Sequence, residues 1–298
     1  MSRWHNGEKL KVMKYKHPKV IERREFGKSL RTRTPRSSHG QWTVSSGGTD
    51  PVAVVEKQNE DRLDWLVPVR RARMMASSFA FYRGAARLMA THLSTAPTTG
   101  LMVQACGDAH LANFGFFASP ERRLVFDLND FDETLPGPWE WDVKRLAASF
   151  VIAARHNGID SVLSREAAQL VGHSYRDAMR EFSEMRAIDI WYSLIDETEF
   201  LSYTDRERSV KRVRKIMAKS KTKESQQAMK RLTEEADGTY RIKSEPPLLV
   251  PLRELGRQLD VLNRTLILNA YEAYKSALAP DRRVLLERYT PVDFAIKV

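Results

Sequence analysis

Gly107-Asp108-Ala109-His110-Leu111-Ala112-Asn113-Phe114-Gly115, followed fourteen residues after its asparagine by Asp127 in Phe126-Asp127-Leu128-Asn129-Asp130-Phe131-Asp132-Glu133, is the stretch that decides how this chain reads. Between the two acidic clusters, Phe114–Phe117 and Arg123–Phe126 flank the segment Ala118-Ser119-Pro120-Glu121-Arg122. Two short apolar runs around a turn of this length predict a β-hairpin. A turn centred on Pro120 makes Phe117 face Arg123, Gly115 face Val125 and Asn113 face Asp127. Alternation along the strands then puts Phe114, Phe116, Leu124 and Phe126 on one apolar face, with Asn113 and Asp127 together on the other. Such side-chain oxygens are the hard donors that Mg²⁺ takes, and Mg²⁺ commonly completes its shell with water and substrate phosphates. Asp108 sits on the loop that enters this site.

The spacing Asp108-x-x-x-x-Asn113, then a hairpin, then Asp127, resembles the catalytic loop and metal-binding Asp of protein kinases. With Asp108-Ala109-His110 and Asn113 it is more similar to that of aminoglycoside phosphotransferases. More narrowly, the GDxHxxNFG, FDxNDFDE and PWEWDxKRLA series, together with Ser77-Ser78-Phe79-Ala80-Phe81-Tyr82-Arg83-Gly84, resembles a bacterial domain-of-unknown-function family over roughly Asp50 to the C-terminus. The resemblance implies an α+β, mostly helical, kinase-like catalytic lobe with a small β-hairpin at its active site. It also implies ATP and Mg²⁺ as cofactors, with Asp108 orienting or deprotonating an acceptor hydroxyl and Asn113 and Asp127 holding the metal against the nucleotide phosphates. The acceptor itself, a small molecule or a protein, is not readable. In this family a glycine-rich turn and a Lys-bearing strand follow, in an order permuted relative to ordinary kinases. Neither is read in these 298 residues, so the chain is expected to be a fragment or natural truncation keeping the catalytic and metal half.

The competing reading is that Asp and Asn serve only as turn formers. The hairpin register, the extra acids and the wider motif series favour the site; the four carboxylates at 127, 130, 132 and 133 cannot all leave water cheaply without cations, so some must face solvent or metal. Asp130 is the runner-up metal ligand; Asp132 and Glu133 read as exposed loop acids. His110 lacks the companions of a transition-metal site and reads as a hydrogen-bonding brace of the loop, placed beside the nucleotide by the resemblance. Arg83 rises above an ordinary helical Arg only through that resemblance, as a phosphate or loop contact. Asp142 opens an amphipathic helix through Val143, Leu146, Ala147, Phe150 and Val151 to Gly158. There it reads as a helix cap or, by the resemblance, as a brace beneath the catalytic loop.

Composition bounds the rest. One cysteine, Cys106, excludes a disulfide scaffold and fits a reducing cytosol, and it reads as an inert small residue. No run approaches a membrane span and no signal peptide is evident, so a cytoplasmic protein is expected. Of the net charge of +11, residues 1–50 carry +8, with twelve Lys and Arg against four Asp and Glu. This segment reads as a flexible basic tail ahead of a domain over 51–298; it is the one candidate route to nucleic acid, and a solvated extension that wraps its own domain is the equal alternative.

Elsewhere the pattern predicts helices over 52–65, from Ser78 to Leu93, from Ser164 to Phe182, from Thr204 through the basic run Lys211–Lys223, and between Leu259 and Leu278. It predicts a buried strand at 101–105, and further strands at 240–243 and near the C-terminus. The basic helix reads as a solvated face with an apolar side to pack, an anionic substrate being the lesser alternative. A non-catalytic kinase-like scaffold that engages an anionic partner stands beside the phosphotransferase reading.

Overall fold

The computed structural model describes residues 18–41, 50–204, 207–221, 225–236, 238–254 and 264–297. Its elements are α1 (Val20–Arg33), α2 (Pro51–Asn59), α3 (Val67–Met75), α4 (Ser78–Arg83), α5 (Ala86–Leu93), β1 (Met102–Ala105), β2 (Phe114–Ala118), β3 (Leu124–Leu128) and β4 (Leu135–Pro138). There follow α6 (Trp139–His156), α7 (Ser161–Phe182), α8 (Ala187–Trp191), β5 (Ile195–Asp196), α9 (Glu197–Ser202), α10 (Glu207–Lys221) and α11 (Ser225–Leu232). The last are β6 (Thr233–Ala236), β7 (Thr239–Ile242), β8 (Leu249–Pro251), α12 (Arg264–Ala277), α13 (Pro280–Leu286) and β9 (Ala295–Lys297). The fold is α+β and mostly helical, and its small sheets, β1-β4, β2-β3-β5, β6-β7 and β8-β9, are antiparallel throughout.

Helix α6 is the hub. It packs along α7 and touches α4, α5, β1, β4 and the turn at Leu111–Asn113. Asn157 ends it and Gly158 follows at φ +72°, the left-handed exit that glycine accepts without strain. Helix α7 starts three residues before the expected Ser164. Asp160 takes the cap by accepting from the N–H groups of Val162 and Leu163 at 2.8 and 3.0 Å, while Ser164 is buried inside the helix with its hydroxyl on the Asp160 carbonyl.

The hairpin forms, but two residues out of the expected register. Gly115 faces Asp127 and Phe114 faces Leu128. The cause is the turn, which closes over Ser119–Arg123: Arg122 enters the left-handed region at φ +61°, and the Ser119 and Arg122 N–H groups donate to the carbonyls of Arg123 and Ser119. A shift of two leaves each side chain on its face, since alternation has period two. Phe116 and Phe126 therefore still meet, at 5.1 Å between ring centres, and Phe200 from α9 completes a trio with them at 4.8 and 4.6 Å.

Two expected helices are each divided. The one over 52–65 ends at Asn59, whose buried amide oxygen accepts from Arg70, and Pro68 then opens α3. The one from Ser78 to Leu93 breaks at Gly84. Its carbonyl is taken by Arg70 at 2.8 Å, and a Cβ there would lie 2.9 Å from the Met74 side chain. Strand β1, expected to be buried, is exposed except at Ala105, because only the single strand β4 and one side of α6 cover it. Strand β7 occupies the expected 240–243 region and β9 the C-terminal one. The helix expected from Leu259 is seen from Arg264, and residues 259–263 lie outside the described residues, as do Asp205 and Lys223 of the basic run.

The basic segment read as a flexible tail contains α1, and α1 is docked. Leu30 is buried, the Thr34 hydroxyl donates to the Thr98 carbonyl at 3.1 Å, Arg24 pairs with Glu184 just past the end of α7, and His39 meets the edge of Trp139. No helix among the described residues is long and apolar enough to cross a membrane.

Candidate functional site

Strand β1 delivers the chain to the loop 106–113, and α6 grips that loop with one polar stripe. Asp142, in the first turn of α6, makes no cap to its own helix. Its carboxylate accepts instead from the N–H groups of Cys106 and Gly107, at 2.7 and 3.1 Å, so it braces the loop from beneath. One turn further on, Arg145 reaches Asp108; another turn on, the Ser149 hydroxyl accepts the Leu111 N–H at 2.9 Å. Positions 142, 145 and 149 fall on one helical face. Gly107 makes the bend, at φ +81°, where a Cβ would stand 2.0 Å from the Glu133 carbonyl oxygen.

At the centre, Asp108 and Arg145 form a buried ion pair, 8% and 2% exposed. The Arg145 guanidinium engages Asp108 Oδ1, donates to the Tyr82 carbonyl at 3.0 Å and lies 4.5 Å over the Tyr82 ring; the Tyr82 hydroxyl donates back to the Arg145 carbonyl at 2.8 Å. Burial pushes the Tyr82 phenol up to about 12, which keeps it a neutral donor. Asp108 Oδ2 is the less engaged oxygen, 3.6 Å from His110 Nε2. That separation is beyond hydrogen-bond reach. His110 is thus not the hydrogen-bonding brace expected of it: its Nδ1 is buried without a partner among the described residues, and the ring packs edge-on against Phe79. Burial, and secondarily Arg145 and Arg83, hold its pKa below the ordinary histidine value against the opposing pull of Asp108. The bracing falls to Asn113, whose buried amide donates to the Asp108 carbonyl at 3.0 Å.

The rim is open and acidic. Asn113 faces Asn129 across the hairpin, through the Asn129 N–H to Asn113 carbonyl bond, so Asp127 lies diagonal to Asn113 on the same face. Asp127 is exposed, and its Oδ1 accepts from the Leu128 N–H at 2.7 Å. The Asn129 amide lies over Gly115, where a Cβ would come within 2.5 Å of it. Asp130 and Asp132 are exposed and joined in a turn by the Asp132 N–H on Asp130 Oδ1. Glu133 is held above the ordinary carboxylate range by burial, and then by Asp108, Asp130 and Asp132. Burial, then Asp142, and more weakly Asp127, push the Cys106 thiol up to about 12, which leaves little thiolate at neutral pH. Arg83 is exposed, close enough to depress His110, and makes no hydrogen bond or ion pair with a described residue. A cleft of about 480 Å³ lies on the α3–α4 side, lined by Met74, Phe81, Tyr82 and Ile152 among others.

The expected residues thus divide. Asp108, His110 and Asn113 share the interior of one loop, with Arg83 nearby, whereas Asp127 and Asp130 stand on the exposed rim. No group of three or more His, Cys, Asp or Glu among the described residues is arranged to hold a metal. Arg145, Ser149, Tyr82 and Asn129 were not singled out from the sequence. Their signal was the polar spacing 142/145/149 on an otherwise amphipathic helix, and the period-two step from Asp127 to Asn129.

A helical α+β domain whose acid-rimmed loop is clamped by one helix is the class that this fold and site define. The chain belongs to the family described as "Uncharacterized protein conserved in bacteria" (DUF2252), which matches residues 62–298. No curated protein and no solved structure matches it.

Proposed function

We propose that this protein is an ATP- and Mg²⁺-dependent phosphotransferase with a kinase-like catalytic centre, acting on a hydroxyl of its acceptor. The observation that carries the reading is the clamped loop: Asp142, Arg145 and Ser149 fix residues 106–111 from one helix, and the rim left open beside that loop is dense in oxygen donors. Phosphoryl transfer depends mainly on positioning and on neutralising charge, and a loop held this way supplies the positioning.

The rim fits a divalent cation. Glu133 is raised first by burial and then by Asp108, Asp130 and Asp132, so negative charge is gathered at this rim. Mg²⁺ needs only one or two protein oxygens when phosphates and water complete its shell, so the lack of a three-residue acidic cluster is compatible with it. Asn113 and Asp127 would hold the ion, with Asp130 beyond them. Bound Mg²⁺ with ATP supplies a polarised γ-phosphate and the charge that screens its oxygens.

The chain's own residues do the rest. Arg145 ties up Asp108 Oδ1 and leaves Oδ2 to accept the acceptor's hydroxyl proton, while His110, kept neutral, adds no competing charge beside that oxygen. Exposed Arg83 is free to meet phosphate.

A second reading, a non-catalytic scaffold, draws on one observation: the Asp108 carboxylate already has a buried cationic partner. Thermal shift separates the two. Mg²⁺ with ATP should raise the Tm of the wild type, Mg²⁺ alone much less, and Asp127→Ala should abolish the rise while keeping the unliganded Tm. No rise in the wild type, or an equal rise in Asp127→Ala, would reject the metal site. A rise without phosphate transfer to any acceptor favours the scaffold.

A further inference from the structure

Helix α10 carries a second feature, independent of the phosphotransferase reading. Its residues Val210, Val213 and Met217 form the side that packs, with Met217 buried, and the helix docks through contacts with β2 and α9. At 100° per residue, Arg208, Lys211, Arg212, Lys215 and Lys219 fall on the opposite side. All five are exposed. They run along the helix for about 16 Å at a rise of about 1.5 Å per residue. Arg208, Arg212 and Lys215 make no hydrogen bond or ion pair with a described residue, and Glu207 meets Lys211 at 2.8 Å in a contact where both side chains are largely exposed. Such a pair exchanges for a better anion at little cost.

The arrangement selects among polyanions. An amphipathic helix that binds a membrane inserts its apolar face, and here that face is spent on the hairpin and α9. Exposed aromatic rings occur in the chain just before α10 and before the segment that pairs with its end. Tyr203, 70% exposed, precedes α10 by four residues. Trp191 and Tyr192, 80% and 72% exposed, precede by six and five residues the Glu197 that pairs with Lys221 at the other end of α10. Cations that track a phosphate backbone, together with rings on which bases stack, are the means by which proteins hold single-stranded nucleic acid without reading its sequence.

We infer that the exposed face of α10, with Tyr203, Trp191 and Tyr192, is a binding surface for single-stranded nucleic acid. The phosphates lie along Arg208, Arg212 and Lys215, and the bases stack on the rings.

Fluorescence anisotropy of the full chain with a labelled oligothymidylate and its RNA counterpart tests this. Binding should weaken as salt rises. R208Q/R212Q/K215Q should lower the affinity by about tenfold or more and make the salt slope shallower by about 2, at about 0.7 per phosphate contact in single strands. Its Tm should match that of the wild type, since the substituted groups are exposed and make no hydrogen bond or ion pair with a described residue. W191A/Y192A should weaken binding without changing the salt slope, because stacking releases no counterions. The charge-matched variant R23Q/K28Q/R31Q in α1 should bind as the wild type does. The inference is overturned if that α1 variant loses binding while the α10 variant keeps it, if duplex of equal length binds more tightly, or if the protein binds phosphatidylserine vesicles but neither oligonucleotide.

Discussion

The two halves of the candidate site are built on opposite principles. The inner half buries charge: Asp108 and Arg145 are out of water, and the loop is held by Asp142, Arg145 and Ser149 of α6 together with Asn113 within the loop itself. The rim leaves its charge wet: Asp127, Asp130 and Asp132 are exposed, and the carboxylates of Asp127 and Asp130 accept only from the nearby backbone N–H groups of Leu128 and Asp132. A buried ion pair does little for net stability, but losing one partner is expensive, whereas wet carboxylates are cheap to keep and cheap to remove. The contrast separates residues whose loss should cost the fold from residues whose loss should leave it intact.

The sharpest way to break this contrast is to strip one partner from the buried pair. Arg145→Met should cost about 3–5 kcal/mol in urea unfolding, because Asp108 is left charged and alone. Adding Asp108→Leu should restore part of that loss; no restoration would mean that Arg145 acts through Tyr82 instead. Next comes Gly107→Ala. The left-handed backbone alone costs about 1–3 kcal/mol, and the Glu133 carbonyl blocks the Cβ, so the loop must shift. Ser149→Ala leaves the Leu111 N–H without its acceptor and should cost about 1–3 kcal/mol by the same assay.

At the rim the effects shrink. Asp130→Ala should alter unliganded stability by no more than about 0.5 kcal/mol, and a larger loss would move it into the structural half. Glu133 gives the smallest effect, and its sign is fixed by pH. Its folded pKa is raised, so its contribution to stability is intact below the unfolded value near 4.5 and is lost as pH rises through the folded one. Glu133→Gln removes that loss: its Tm advantage over the wild type should be greater at pH 7 than at pH 4, and Mg²⁺ with ATP should narrow it. An advantage that is flat with pH would contradict the charge crowding at the rim.

Much of the fold was legible because local rules sufficed. The hairpin, α6 and the acid-rich loop followed from alternation, helical spacing and turn residues. The register slipped because it depends on Arg122 adopting a left-handed conformation, which nothing in Ser119-Pro120-Glu121-Arg122 announces. Strand β4, Leu135-Pro136-Gly137-Pro138, was missed because two prolines and a glycine argue against a strand; it survives as an edge with one partner. The breaks at Asn59 and Gly84 share one cause, the distant side chain of Arg70, and no local pattern carries that information.

For the site, Asp108, Asn113 and Asp127 could be named from spacing, yet Arg145 could not. A helical Arg reads as solvated until the partner that buries it is known. For Asp142 the place near a helix start suggested a cap, whereas the family resemblance gave the brace beneath the loop that its bonds to Cys106 and Gly107 make.

The most direct test of the central claim, that Asn113 and Asp127 present a divalent cation beside a loop fixed by α6, is isothermal titration of ATP with saturating Mg²⁺ into wild type and Asp127→Ala. The account predicts saturable, Mg²⁺-dependent heat in the wild type that disappears in a variant of unchanged fold. Equal binding by both proteins, or binding that survives the removal of Mg²⁺, would contradict it.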